Sequence, residues 1–187
     1  KDGLLRIKLL EDLADSHLMA GRKEQAAPAV RALAKTLAEL NDTAFQMNLM
    51  LLAKRGGLEA ETKAAFAIFE AEAARQRKAT SKQKDCGIAC IGDGDLALAL
   101  ALVGRDGEAK VLFTKAVAAN QKVQPAAQRL EGLIWLSDAQ FNAGHLPEAQ
   151  STLDKALAVA PKAWRGELSF TDEDNEIALI KALLAHG

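Results

Sequence analysis

Residues 136–161 read LSDAQFNAGHLPEAQSTLDKALAVAP, and the arrangement of their apolar and small residues recurs along the chain. A glycine stands at the centre, with a leucine eight residues before it. A small residue follows five positions after it, and apolar residues follow after nine and twelve. This spacing is typical of two helices joined by a short turn, because glycine adopts the left-handed conformation that ends a helix. We call these positions the glycine signature. In this stretch they are Leu136, Gly144, Ala149, Leu153 and Ala156.

The glycine signature occurs four times, at Gly21, Gly57, Gly104 and Gly144. Repetition on this scale predicts a solenoid of stacked helix pairs rather than an enzyme core, and a solenoid is suited to holding another molecule. The corresponding residues are Leu13, Leu49, Leu96 and Leu136 eight before the glycine, Ala26, Thr62, Ala109 and Ala149 five after it, Val30, Phe66, Phe113 and Leu153 nine after it, and Leu33, Phe69, Ala116 and Ala156 twelve after it.

The composition is that of a soluble helical protein. The chain has 187 residues, of which 49% are hydrophobic and 26% charged, with a net charge of −1. Alanine is abundant and tyrosine is absent, which favours helices over a large sheet. The charge gives no overall attraction to nucleic acid or to an anionic membrane, and no apolar run approaches the length of a membrane span. We therefore expect an all-α fold.

The pattern predicts one domain over residues 1–187. Its helix pairs cover about residues 3–40, 42–77, 93–120 and 125–160, and a capping helix covers about residues 172–185, with Thr171 as its N-cap. The second pair places Phe66, Ile68 and Phe69 inward. The last paired helix is expected to end before Pro161.

The polar segment RQRKATSKQKD and the following CGIACIGDG form a predicted break between the second and third pairs. The next helix is then expected to begin at Asp93 or Asp95. Its sequence, DLALALALVG, alternates like a buried strand, but leucine and alanine both favour a helix and the glycine signature keeps its register.

The chain resembles the tetratricopeptide repeat family. The fourth signature carries that family's small residue after a leucine, the turn glycine, the two later alanines and the closing proline, at Ser137, Gly144, Ala149, Ala156 and Pro161. LADSHLMAGRKEQAAPAVRAL and LALALALVGRDGEAKVLFTKAV match it without the proline, and the second signature departs from it with Met50 and Thr62. The resemblance implies a right-handed α-solenoid of stacked antiparallel helix pairs.

The resemblance also implies that the first helix of each pair lines a concave groove where peptides bind. Leu98 and Leu102 would line it in the third pair, but we expect them to pack against neighbouring helices instead. The family's clamp for a terminal carboxylate is not carried over, because Lys8, Lys54, Arg55 and Asn142 do not complete the set. The partner-binding residues that the resemblance implies are Lys8, Glu11, Asp15, Met19, Met47, Leu51, Lys54, Arg55, Glu131, Ile134, Asp138 and Phe141.

No catalytic set is visible in the sequence. His17, His145 and His186 are far apart, so no metal site and no cofactor is expected. The basic residues between Arg75 and Lys84 lack interleaved aromatics, so no nucleic acid is expected as a partner. Cys86 and Cys90 are close enough for a local disulfide, which would indicate a periplasmic or secreted protein, and free thiols would indicate a cytoplasmic one.

The sequence thus predicts a non-catalytic interaction scaffold that binds a peptide or protein partner in the concave groove. The alternative is a module that self-assembles as a homodimer or regulates a larger multidomain protein. The apolar run DLALALALVG and the irregular segment before it motivate this alternative.

Overall fold

The fold was obtained as a computed structural model, which describes residues 2–40, 45–80 and 86–163, with side chains over 3–39, 45–74 and 92–160. These residues form helices and contain no strand. The all-α prediction is confirmed, and DLALALALVG is helical. The helices are α1 (Asp2–Met19), α2 (Lys23–Leu40), α3 (Gln46–Gly56), α4 (Glu59–Thr80), α5 (Cys86–Leu102), α6 (Asp106–Asn120), α7 (Ala126–Asn142) and α8 (Leu146–Ala163).

All four signature glycines end a helix in the same way. Their φ angles lie between 71° and 83°, the left-handed region that residues with a Cβ rarely adopt. At Gly144 the backbone N–H donates to the carbonyl of Phe141 at 2.9 Å, and the next N–H, that of His145, donates to Gln140 at 2.9 Å. The other three turns repeat this pair of hydrogen bonds. It satisfies two carbonyls that a helix end otherwise leaves free.

Small buried residues lie on both sides of three of the four turns, and the second turn has Met50 in place of the first small residue. The residue seven before the glycine is fully buried at Ala14, Ala97 and Ser137. The residue five after the glycine is also buried in all four copies. In the last copy Ser137 donates its hydroxyl to the carbonyl of Ala149 at 2.9 Å, which joins α7 to α8 inside the core. Small side chains at these positions allow two helices to approach closely.

The contacts divide the chain into two compact units. Unit 1 comprises Lys1–Ala79 and Ala99–Arg105. In it α1 packs on α2, and α3 packs on both. Arg31 on α2 donates to Glu61 on α4 at 2.8 Å, and this hydrogen bond lowers the pKa of the Glu61 carboxyl. Arg105, after α5, pairs with Glu70 at 2.9 Å and lies over the ring of Phe66. The single-domain organisation stays a prediction.

Unit 2 comprises Thr80–Leu98 and Asp106–Gly187. In it α7 packs extensively on α8 and also contacts α6. Lys115 on α6 pairs with Asp93 on α5 at 2.8 Å, and Lys110 pairs with Glu148 on α8 at 3.5 Å. The ring of Phe113 meets His145 edge to face, with 5.7 Å between centroids. The core of this unit therefore includes side chains of α6, α7 and α8.

The predicted break at CGIACIGDG was wrong, because α5 begins at Cys86 instead of at Asp93 or Asp95. The glycines in this stretch do not act as turns. Gly94 lies where a Cβ would overlap the ring of Trp135 on α7. A close approach of two helices, rather than a bend, therefore explains the glycine at this position.

Several predicted boundaries also differ from the structure. Helix α4 continues to Thr80, and α8 continues through Pro161 to Ala163, since the one hydrogen bond that a proline removes does not end the helix. Ile68 was wrongly placed inward: it is exposed, because its direction on α4 differs from that of Phe66 and Phe69. Three predictions concern parts of the chain outside the described residues. They are the start of the second pair, the capping helix with Thr171, and the pairing of the Cys86 and Cys90 side chains.

Candidate functional site

Two side-chain contacts join α1 to α3, the helices that carry eight of the twelve predicted binding residues. Asn48 donates its Nδ2–H to Glu11 Oε1 at 3.1 Å. Arg55 donates an Nη1–H to Asp15 Oδ1 at 2.6 Å. On α1 the predicted residues follow one another at intervals of three or four, and on α3 Met47, Leu51 and Arg55 are four apart with Lys54 beside Arg55, so each set follows one side of its helix. We call Lys8, Glu11, Asp15, Met19, Met47, Leu51, Lys54 and Arg55 the α1–α3 surface.

The α1–α3 surface combines apolar and charged groups. Met47 and Leu51 on α3 are half-buried, and Met19 near the end of α1 is 76% exposed. Glu11 is buried beneath its contact with Asn48, so it fixes the two helices rather than facing solvent. The flexible thioethers of methionine can adapt to varied apolar partners. The surface therefore offers apolar contact area bordered by charge.

The acidic side chains at this surface lie on α1, together with Lys8, and the charged side chains of α3 are all basic. Helix α1 contributes the acidic side chains Glu11, Asp12 and Asp15, while α3 contributes Lys54 and Arg55. The hydrogen bond to Asp12, at 2.9 Å, raises the pKa of the exposed Lys8 ammonium, and the neighbouring acidic charges add to this. Arg55 is neutralised by Asp15, whereas Lys54 makes no ion pair with any described residue. Lys54 is thus the cation that the surface offers to a partner.

Lys54 also borders a small cavity in unit 1, of about 220 Å³. Leu102, one of the two leucines expected to pack inside, is buried in the wall of this cavity, and Leu98 is also buried. The burial of both leucines agrees with the expectation that they pack inside instead of lining a groove. The remaining residues of the wall are Glu59, Thr62, Lys63, Val103 and Gly104.

The other predicted binding residues are on α7, in unit 2. Ile134 is only 7% exposed, so it contributes to the core. Asp138 accepts a hydrogen bond from Asn142 Nδ2 at 3.1 Å, one turn along the same helix. Glu131 is exposed and Phe141 is half-buried. Of the four, Glu131, Asp138 and Phe141 keep surface that a ligand can contact.

Sequence reasoning missed two polar residues that the structure makes important. Asn48 joins α3 to α1 through its hydrogen bond, and the visible signal was one polar residue inside the run MNLMLL. Gln140 on α7 is 4% exposed, and its Oε1 has no hydrogen-bond partner among the described residues. Its signal was a glutamine four residues before a signature glycine, where the second and third copies have the buried apolar residues Ala53 and Leu100 and the first copy has His17.

No cluster suited to metal binding was found in the described ranges. They hold no group of three or more His, Cys, Asp or Glu side chains that could bind a metal. His17 lies in unit 1 and His145 in unit 2, and His186 is outside the described residues. His145 Nε2 is 3.7 Å from Asp106, and its ring packs on Phe113. That packing gives His145 a role in the core.

Comparison of the chain with protein-family models, with curated proteins and with solved structures found no match. Within the described helices, none combines the length and the apolar character needed to cross a bilayer.

Proposed function

We propose that this protein is a non-catalytic scaffold of the tetratricopeptide type, and that the α1–α3 surface binds a peptide segment of a protein partner. In this proposal the four helix pairs are antiparallel and stack into one right-handed solenoid, whose first helices line the concave side. The observation that supports it is the fourfold turn, in which each signature glycine has a left-handed φ and makes the same two backbone hydrogen bonds. No cofactor is required.

The chemistry of the surface suggests the character of the partner segment. Its apolar side chains would lie on Met47 and Leu51, since contact removes from water the apolar area that these two side chains still expose. An acidic group would lie near Lys54, which no described carboxylate neutralises. Such a segment binds as an extended chain or as an amphipathic helix.

Affinity capture with two charge-changing variants tests this proposal. We expect Leu51→Glu and Lys54→Glu to lose the proteins that the natural chain retains from its own cell extract, as identified by mass spectrometry. The matched controls are Ile68→Glu and Lys23→Glu, an exposed apolar residue and an exposed lysine of the same unit. Capture of the same proteins by all four variants would show that the α1–α3 surface is not the binding site.

A second candidate function is self-association through α1. Leu5, Leu9 and Leu13 form a stripe spaced four residues apart, and they are 62%, 59% and 49% exposed. The signature equivalents of Leu13 are buried, as at Leu49 and Leu136. An exposed leucine stripe on a helix is a typical site for pairing with another helix. This observation favours a homodimer formed by two α1 helices.

Sedimentation over a range of concentrations distinguishes this candidate. A dimer formed through the stripe should dissociate in Leu9→Glu and persist in Val111→Glu, which changes an exposed apolar residue of unit 2. If the natural chain stays monomeric at the highest concentration reached, the candidate is excluded.

A further inference from the structure

The small cavity beside Lys54 in unit 1 has a second lysine in its wall. Lys54 lies near the end of α3 and Lys63 lies on α4, so two helices contribute an ammonium group to the same cavity. The cavity has a volume of about 220 Å³, which is below the range of roughly 300–1,000 Å³ that is usual for small-molecule sites. It is therefore suited to one side chain of a larger ligand.

Neither lysine is neutralised by a described residue. Several other cations of this unit pair with carboxylates, as Arg31 does with Glu61 at 2.8 Å. Lys54 and Lys63 make no ion pair within the part of the chain that the structure describes. An anion in the cavity would be attracted by both ammonium groups at once.

Among the described residues, the rest of the wall offers an anion no further side-chain donor. Thr62 is buried and donates its hydroxyl to the carbonyl of Leu58 at 2.9 Å. The backbone N–H of Gly104 donates to the carbonyl of Ala101 at 2.9 Å. Leu102 is buried and adds an apolar surface. A ligand would thus be held by attraction to the two lysines and by an apolar contact.

The charge of the wall distinguishes between two kinds of anion. Its charged side chains are Lys54, Lys63 and Glu59, two positive and one negative, which leaves a net charge of +1. A single carboxylate neutralises this charge. A phosphate monoester carries about −1.5 to −2 at pH 7, so it would leave an excess of negative charge beside Glu59. The wall therefore favours a carboxylate.

We propose that this cavity binds one aspartate or glutamate side chain of the partner segment, and that Lys63 holds its carboxylate together with Lys54. The proposal rests on the proposed function, because it identifies the acidic group that meets Lys54 there. The methylene groups of the bound side chain contact Leu102. Glu59 repels the carboxylate, so the affinity is a balance between two attractions and one repulsion.

Nuclear magnetic resonance titration of the full chain at low salt tests the proposal with three probes. N-acetylglutamate methylamide carries the carboxylate, N-acetylglutamine methylamide is its neutral match, and N-acetylphosphoserine methylamide carries a phosphate. We expect the carboxylate probe to shift the backbone signals of residues 59–63 and 102–104, and to bind at least about threefold more tightly than the other two. Added salt should weaken its binding, because exposed charges are screened.

Two variants with opposite expected effects complete the test. Lys63→Gln should weaken binding of the carboxylate probe about threefold, the effect of losing one exposed charge pair, and Glu59→Gln should strengthen it by a similar factor. Lys23→Gln changes an exposed lysine of α2 outside the cavity wall, so it alters the net charge equally and should leave binding unchanged. The proposal is overturned if the neutral or the phosphate probe binds as tightly as the carboxylate, or if Lys63→Gln and Lys23→Gln bind it equally.

The titration contains no partner protein, so its result is independent of the affinity capture that tests the proposed function. If Leu51→Glu loses the captured proteins while no probe binds at the cavity, the α1–α3 surface is the binding site and the carboxylate subsite is wrong. If the carboxylate probe binds as expected while Leu51→Glu and Lys54→Glu capture the same proteins as the natural chain, the cavity binds a carboxylate and the proposed function is wrong.

Discussion

The first helix of unit 1 and α7 of unit 2 carry the same signature but have different surroundings. The residues seven before the glycine, Ala14 and Ser137, are equally buried. The residues eight before it differ, because Leu13 is 49% exposed and Leu136 is 1% exposed. The residue seven before the glycine packs on the paired helix, so its burial is the same in both units. The burial of the residue eight before the glycine depends on whether a further helix covers it. The glycine signature therefore predicts which residues are buried between the two helices of a pair. It does not predict whether the outer face of the pair is covered by another helix.

The largest expected difference in stability is between the variants Leu136→Ala and Leu13→Ala. Leu136→Ala should lower the free energy of unfolding by about 3 kcal/mol, since it leaves a cavity in a packed core. Leu13→Ala should lower it by less than about 1 kcal/mol, because the side chain is already half in water. Urea unfolding followed by circular dichroism measures both. Equal losses would mean that Leu13 is covered in solution, as the homodimer candidate requires.

A second contrast concerns two aspartates nine residues before a signature glycine. Asp12 on α1 is exposed and paired with Lys8, whereas burial raises the pKa of Asp95 on α5 to about 6. The ordinary value of 3.8 applies to the unfolded chain. The folded state therefore binds more protons than the unfolded chain between these pH values, and the free energy of unfolding falls as the pH rises from about 4 to about 6.

Asp95→Asn should remove this dependence on pH. At pH 7.5 the variant should be more stable than the natural chain by about 2 kcal/mol, reduced from the full linkage value because the group keeps some contact with water. At pH 3.5 the two should be equally stable. Thermal unfolding across pH measures the effect, with Asp12→Asn as the matched control. A variant whose stability tracks that of the natural chain at every pH would show that Asp95 is not buried as described.

The turns should respond identically in the two units. Gly21→Ala and Gly144→Ala should each cost about 1 kcal/mol, because alanine is strained at positive φ. An added Cβ would meet no atom within 4 Å at either glycine, so no clash adds to the cost. Chemical denaturation of both variants gives the numbers, and asparagine at the same sites should cost less. A cost at Gly21 near zero would indicate that the first turn differs from the last.

The smallest expected effect is that of the exposed ion pair between Asp15 and Arg55. A double-mutant cycle with Asp15→Asn and Arg55→Gln should give a coupling energy of about 0.5 kcal/mol at low salt, and less at high salt. The exposed pair Lys8–Asp12 on α1 alone provides the comparison. A coupling several times larger would mean that the α1–α3 surface is shielded from water, for example by a bound partner.

The sequence sufficed for the features whose causes are local. The glycine turns were predictable because left-handed backbone nearly requires glycine, and the helices were predictable because leucine and alanine favour them. The start of α5 was not predictable. Gly94 indicates a helix break in the sequence, and only the structure shows that its lack of a side chain makes room for the Trp135 ring. The exposure of Leu13 was not predictable for the same reason, because burial depends on residues distant in the chain.

The candidate site shows the same limit. Helical spacing grouped Asp15 with Glu11 and Arg55 with Leu51, because residues three or four apart share a face. It gave no sign that Asn48 would meet Glu11, or that Ile134 would turn into the core. Neither did it reveal that Gln140 Oε1 lacks a hydrogen-bond partner among the described residues, since hydrogen bonding there depends on all the helices around it.

Because Trp135 packs against Gly94, its fluorescence depends on the contact between α5 and α7. The chain has two tryptophans and no tyrosine, so emission excited at wavelengths too long for phenylalanine to absorb comes from indole alone. With Trp164→Phe, the remaining emitter is Trp135, whose ring lies against the backbone of α5. The wavelength and quenching of its emission then follow the separation of α5 and α7 directly. Separation of α5 from α7 can then be followed by stopped-flow fluorescence of Trp135, without an attached dye.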